Sequence, residues 1–155
     1  MGMDIFGKKP KNKEGEYFRN NVWWWHPLWD YCQEVAPEII NDKNSGHNND
    51  GWGLCDRLSL QLAVKLTSLL ESGEVAEYAK IFNDEKSKIP DEKCSTCGGT
   101  GKRLPPPKIG PGKIMCNGCN GKGTHKPIGS WYSFEESNVK EFVNFLKNCG
   151  GFKIC

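Results

Sequence analysis

Apolar residues in this chain recur with helical period in four stretches, separated by polar or glycine-rich breaks. Behind Pro27, which suits a first helical turn, Leu28, Cys32, Val35 and Ala36 follow at i, i+4, i+7 and i+8 until Pro37 interrupts; the spacing predicts a short helix over about 27–36. Leu58, Leu62, Leu66, Leu69 and Leu70 continue from Leu54 and stop at Gly73, which predicts a helix over about 54–71. Val75, Tyr78, Ala79 and Phe82 share one face of a third helix that ends before Pro90. Ser133-Phe134-Glu135-Glu136 has the form of a capping box, and Val139, Phe142, Val143 and Leu146 give the stripe of a C-terminal helix over about 134–148. Phe152 to Cys155 alternates and reads as a short strand or an extended tail.

Between these stretches the chain changes character. Residues 1–16, with Lys8, Lys9, Lys11 and Lys13, have few apolar positions and read as a flexible basic tail. Residues 17–29 then hold six aromatic side chains, and Asn41 to Gly53 is a polar loop dense in Asn, Asp and Gly. The resulting expectation is a mainly α fold: a small helical domain with an inserted two-knuckle hairpin. Its parts are the tail at 1–16, an aromatic-rich helical part at 17–93, a knuckle module at 94–126, and a C-terminal helix and tail at 127–155 that pack on the helical part.

The knuckle module rests on two near-copies of C-x-x-C-x-G-x-G, Cys94 to Gly101 and Cys116 to Gly123. Two cysteines separated by two residues turn both sulfurs toward one ion, and the following glycines let backbone amides curl close to the thiolates. Two such knuckles complete a tetrahedron, so Cys94, Cys97, Cys116 and Cys119 are the expected ligands of one structural Zn²⁺. Eighteen residues separate the knuckles, with Pro105-Pro106-Pro107 and Gly110-Pro111-Gly112 among them, and read as an extended, exposed linker. His125 reads as a bystander beside a complete set of four thiolates. Cys32, Cys55, Cys149 and Cys155 have no partner at ligand spacing and read as buried small hydrophobes.

The repeats resemble those of the cysteine-rich zinc region of DnaJ-type co-chaperones over about residues 94–123. There are two repeats here rather than four, and His26-Pro27 is followed by Leu28 where a J-domain signature needs Asp, so chaperone activity does not carry over. With GEYFRNNVWWWHPLWDYC near one end and FVNFLKNCGGFKIC at the other, the chain also resembles, over nearly its full length, small proteins encoded by phages and prophages. That resemblance implies an accessory, anti-defence role in the host cytoplasm and names no activity.

Charge refines the picture. The formal +2 hides segregation, because residues 20–93 carry 13 acidic against 7 basic side chains whereas 94–126 carry six basic and none acidic. No stretch approaches the roughly 18 to 20 apolar residues of a membrane span, and no apolar signal-peptide core opens the sequence. A soluble, cytoplasmic chain without a membrane partner is expected, and a reducing compartment favours metal ligation over disulfides.

No nucleophile elbow, metalloprotease helix or supported carboxylate pair is present, so a non-catalytic binding protein with a protein partner is the first expectation. Trp23, Trp24, Trp25 and Trp29 form either the core or a binding platform, with Arg19, Asn20, Asn21 and His26 as polar neighbours. A second expectation is a nucleotide-type ligand held by Arg19, Asn20, Trp23, Trp24, Trp25, His26, Asn48, Asn49, Trp52 and Arg57. A third, less favoured, is nucleic acid on Lys102, Arg103, Lys108, Lys113, Lys122 and Lys126.

Overall fold

A computed structural model describes residues 2–42 and 45–155. The elements run β1 (Gly2–Gly7), β2 (Tyr17–Asn21), α1 (Val22–Val35), α2 (Asp56–Ser72), α3 (Glu74–Ser87), β3 (Glu92–Lys93), β4 (Lys102–Arg103), β5 (Ile114–Met115), β6 (Thr124–His125), α4 (Glu136–Asn148) and β7 (Phe152–Ile154), with 3-10 turns at Lys13–Gly15 and Ile128–Ser130. Helix makes up 42% of the chain and strand 16%, the latter in small antiparallel sheets, so the fold is mixed α/β and the mainly α expectation is corrected. The chain divides into two units, residues 1–84 with 132–155 and residues 85–131.

The largest correction falls on the basic tail. Met3 and Ile5 alternate inward along β1, which is the central strand of a sheet ordered β2-β1-β7. Ile5 lies opposite Phe18 on one side and Ile154 on the other and is fully buried. The lysine run that follows is strapped down: the amides of Lys8, Lys9 and Lys11 donate to the carbonyls of Gly151, Cys149 and Asn148. Lys11 Nζ donates to Lys147 O at 3.4 Å, which sets an ammonium beside the C-terminal end of α4, where it complements the helix dipole.

Helix α1 starts five residues before the expected position because Asn21 caps it, its side chain accepting from the Trp24 amide at 3.0 Å. Pro27 therefore sits inside the helix and leaves the Trp23 carbonyl without its intrahelical donor. The Ser133 amide supplies the missing bond at 3.2 Å. At α4 the expected capping box does not form: Glu135 is the N-cap and makes no side-chain cap bond, while the Ser133 hydroxyl bonds the Glu135 carboxylate.

Trp25 and Trp29 lie one helical turn apart, fully buried and stacked at 5.2 Å, and pack edge-on against Phe142. A buried indole N–H needs an acceptor. The polar loop provides both, Gly46 O at 2.8 Å from Trp25 Nε1 and Ser45 O at 2.7 Å from Trp29 Nε1. Gly46 has φ +83°, and a Cβ there would stand 2.3 Å from Trp29 Nε1, so only glycine fits. Lys43 and Asn44 of this loop lie outside the described residues. Cys32 and Cys149 are buried as expected, and burial pushes the Cys32 thiol far up, whereas Cys55 and Cys155 are exposed, contrary to the expectation for them.

Because β1 is a core strand, Ile5→Ala should lower unfolding free energy by about 2–5 kcal/mol in urea titration, the range for truncating a buried aliphatic residue. Val64→Ala on the exposed face of α2 should change it by less than about 0.5 kcal/mol. Equal midpoints for the two variants would contradict the central-strand assignment.

Candidate metal centre

The second unit has almost no apolar interior, and its buried cluster consists of Cys94, Cys97, Cys116 and Cys119. The Sγ atoms of Cys94 and Cys116 are 3.9 Å apart, those of Cys97 and Cys119 are 3.8 Å apart, and all four lie within 4.8 Å of one another. Disulfides would bring sulfurs to about 2.05 Å. Metal–thiolate bonds of about 2.3 Å in a tetrahedron place sulfurs about 3.8 Å apart, so the donor set fits a four-coordinate cation.

The two knuckles are related by an internal pseudo-twofold with a sequence offset of 22 residues. The Cys94 amide donates to Gly123 O and the Cys116 amide to Gly101 O; Gly99 N donates to Cys94 O and Gly121 N to Cys116 O. Strands β3 and β6 pair as Glu92–His125 and Lys93–Thr124, and their images β4 and β5 pair as Arg103–Ile114 and Lys102–Met115. The glycines sit where the two halves cross. A Cβ on Gly101 would stand 2.3 Å from Gly121 O, and its image on Gly123 would stand 2.4 Å from Gly99 O, both at positive φ.

The Gly123 amide donates to Cys119 Sγ at 3.2 Å, as amides do toward metal thiolates. Burial raises the Cys97 thiol, but the amides of Gly101 and Gly99 and the neighbouring thiols outweigh it and bring the group down to about 6. At Cys116 burial prevails and holds the thiol up at about 11. His125 stands apart from the cluster, 3.5 Å from Glu92 and bonded to the Lys126 carbonyl.

The remaining candidates do not gather in one place. Arg19, Asn20 and Trp24 line a cavity of about 450 Å³ together with Gly2 and Asn21, and Trp24 is 43% exposed. Asn49 is close to that sheet edge, bonding Gly2 O and the Asp4 amide, whereas Asn48 is exposed on the loop. Trp25 is core, Trp23 packs on Tyr132, and Trp52 packs edge-on against Trp29. Arg57 lines a separate groove with Glu38, Ile39 and Val64, so a phosphate site shared with Arg19 is not assembled. Among the basic candidates, Arg103 is committed to the hairpin, donating to Leu104 O, Lys108 O and Asn117 Oδ1. Lys126 pairs with Asp91 at 3.2 Å, while Lys102, Lys108, Lys113 and Lys122 are exposed.

Sequence reasoning missed the His26–His47 pair, whose Nδ1 atoms are 3.0 Å apart, with Asp30 and Gln33 on the far side of His47. Only the loop's fold onto α1 joins them. Burial, and then the proximity of His47, holds His26 below its ordinary value of 6.5, against the opposing pull of Asp30.

No family model, curated protein or solved structure matches the chain. The fold and the site therefore define it by themselves: a mixed α/β body with a buried cluster of four cysteines at metal-binding distances. Among the described residues no helix is long and apolar enough to cross a membrane.

Gly101→Ala should weaken metal retention by at least about tenfold in competition with a chelator, because the substitution meets both a carbonyl and a positive φ. Retention equal to that of the unmodified chain would refute the crossing described for the two halves. A lowered folded-state His26 means that the unfolded chain binds the proton more readily, so its stability contribution is complete above about pH 6.5 and is lost as pH falls below it. The melting temperature should drop between about pH 7.5 and 5.5, and His26→Gln should flatten that drop; an unchanged pH slope in the variant would exclude His26 as the group responsible.

Proposed function

We propose that the chain is a non-catalytic, zinc-stapled binding protein that acts by occupying a protein partner. Four thiolates without a carboxylate or imidazole match zinc, which is redox-inert and accepts tetrahedral sulfur sites. A complete shell of four thiolates leaves no open coordination position for water or substrate, which supports a structural role.

The observation that carries the binding reading is the surface of the second unit. Ile109, Ile114, Met115, Ile128 and Trp131 are exposed there, in a unit whose buried cluster is the four cysteines. Such a module spends its apolar side chains outward, as interaction surfaces do. The phage resemblance gives this reading a setting: a cytoplasmic accessory protein that blocks a host defence component by binding it. A second reading, a nucleotide-type ligand, is favoured by the cavity where Arg19 and the half-exposed Trp24 meet.

Native mass spectrometry should show one zinc per chain, lost in the Cys94→Ser/Cys116→Ser double variant. A coloured, iron-loaded protein or a chain without metal would overturn the zinc assignment, and an added mass of a few hundred daltons would favour the nucleotide reading. A photo-reactive residue in place of Met115 should give a discrete protein adduct in expressing cells, while one in place of Val64 should not. No adduct at Met115, or equal adducts at both positions, would overturn the protein-binding reading.

A further inference from the structure

The two arms of the knuckle module are images of one another in backbone but not in chemistry. On the β3–β6 arm the acidic side chains have partners, with Glu92 beside His125 and Asp91 paired to Lys126. Moving 22 positions along the chain converts Glu92 to Ile114 and Lys93 to Met115, and moving back from Lys126 gives Leu104. Three charged positions of one arm, Glu92, Lys93 and Lys126, are thus apolar on the other under the same fold, while Asp91 and His125 are replaced by the cations Lys113 and Arg103.

On the β4–β5 arm the apolar side chains are not covered. Ile109 and Met115 are 72% and 73% exposed, and Leu104, Pro105, Pro111, Gly112, Lys113 and Ile114 line a groove of about 540 Å³. Arg103 fixes the hairpin around that groove through its bonds to Leu104, Lys108 and Asn117, so the groove is held in shape before anything enters it. Lys102, Lys108 and Lys113 belong to the same arm, no acidic residue occurs anywhere in 94–126, and among the described residues none of the three has an acidic partner.

We infer that this arm is a docking site for an acidic protein segment that inserts aliphatic side chains into the groove and places flanking carboxylates against Lys102, Lys108 and Lys113. The inference rests on the protein-binding reading above and specifies its partner. Charge alone would also suit RNA, but no aromatic side chain lines the groove to stack a base, and apart from Gly112 and Lys113 its lining is aliphatic and proline. An apolar centre rimmed by like charges is the pattern of a protein interface, with the rim steering a complementary partner.

The test uses the full, metal-loaded chain and fluorescence anisotropy with three probes: labelled nonapeptides of two aliphatic residues flanked by Asp and Glu, the same peptides with Lys in place of the acids, and a nine-nucleotide oligouridine. The acidic peptides should bind, at least tenfold more tightly than either other probe, and more weakly as salt rises. Lys102→Glu/Lys113→Glu and, separately, Ile114→Asp should each reduce that binding at least tenfold with metal content unchanged, whereas Lys93→Glu on the opposite arm should leave it unaltered. Absence of acidic-peptide binding, equal or tighter binding of the Lys peptides or of oligouridine, or insensitivity of metal-loaded Lys102→Glu/Lys113→Glu and Ile114→Asp would overturn the inference. A protein adduct at Met115 without acidic-peptide binding would sink this inference alone, while loss of both would sink the binding reading with it.

Discussion

Four sulfur atoms held within 4.8 Å of one another are the constraint on which the second unit depends. As thiolates they repel, and as thiols they make only weak bonds, so the cluster is held together by a cation or by very little else. No apolar core stands behind it. The internal twofold follows from this requirement: two identical loops are the simplest way to bring two pairs of sulfurs to a tetrahedron, and the crossing of Gly101 over Gly121 and of Gly123 over Gly99 is the backbone approach that it needs.

Relieving the interior of packing duty frees the surface of that unit. A module whose buried cluster is four cysteines at metal-binding distances does not use Ile109, Ile114 or Met115 as a core, and they face solvent. In the first unit many apolar side chains are packed inside, although Val64 and Ile81 remain exposed. Trp25, Trp29, Phe142, Phe145 and Phe152 form one aromatic interior, with the polar loop bent onto it to satisfy the two indole N–H groups. A loop rich in Asn, Asp and Gly that looked like a ligand site thus has a structural duty, and the same bend brings His47 to His26.

Backbone accounting explains several places where local rules and the fold part company. Pro27 sits inside a helix because a distant amide, that of Ser133, takes the carbonyl it orphans. Asn20, buried on β2, is tolerable because Asn138 of α4 accepts from its side-chain amide at 2.7 Å. Each is a polar group answered by a residue more than 100 positions away, at no spacing that periodicity records.

The sequence by itself determined the four helices to within a few residues at most ends, because each carries its own 3.6-residue stripe, and it determined which four cysteines cluster at metal-binding distances, because C-x-x-C-x-G-x-G is local chemistry written twice. Tertiary structure alone decided that residues 2–7 form a central strand, since Ile5 finds its partners at Phe18 and Ile154 and Met3 lies opposite Asn20, and an alternation of two apolar residues beside a lysine run carries too little signal. It also decided that Trp24, of the three consecutive tryptophans, is the most exposed, and that Arg19 and Arg57 line different cavities. Helical periodicity and metal knuckles are properties of neighbouring residues, whereas sheet order, indole satisfaction and cavity lining belong to pairs that only the folded chain brings together.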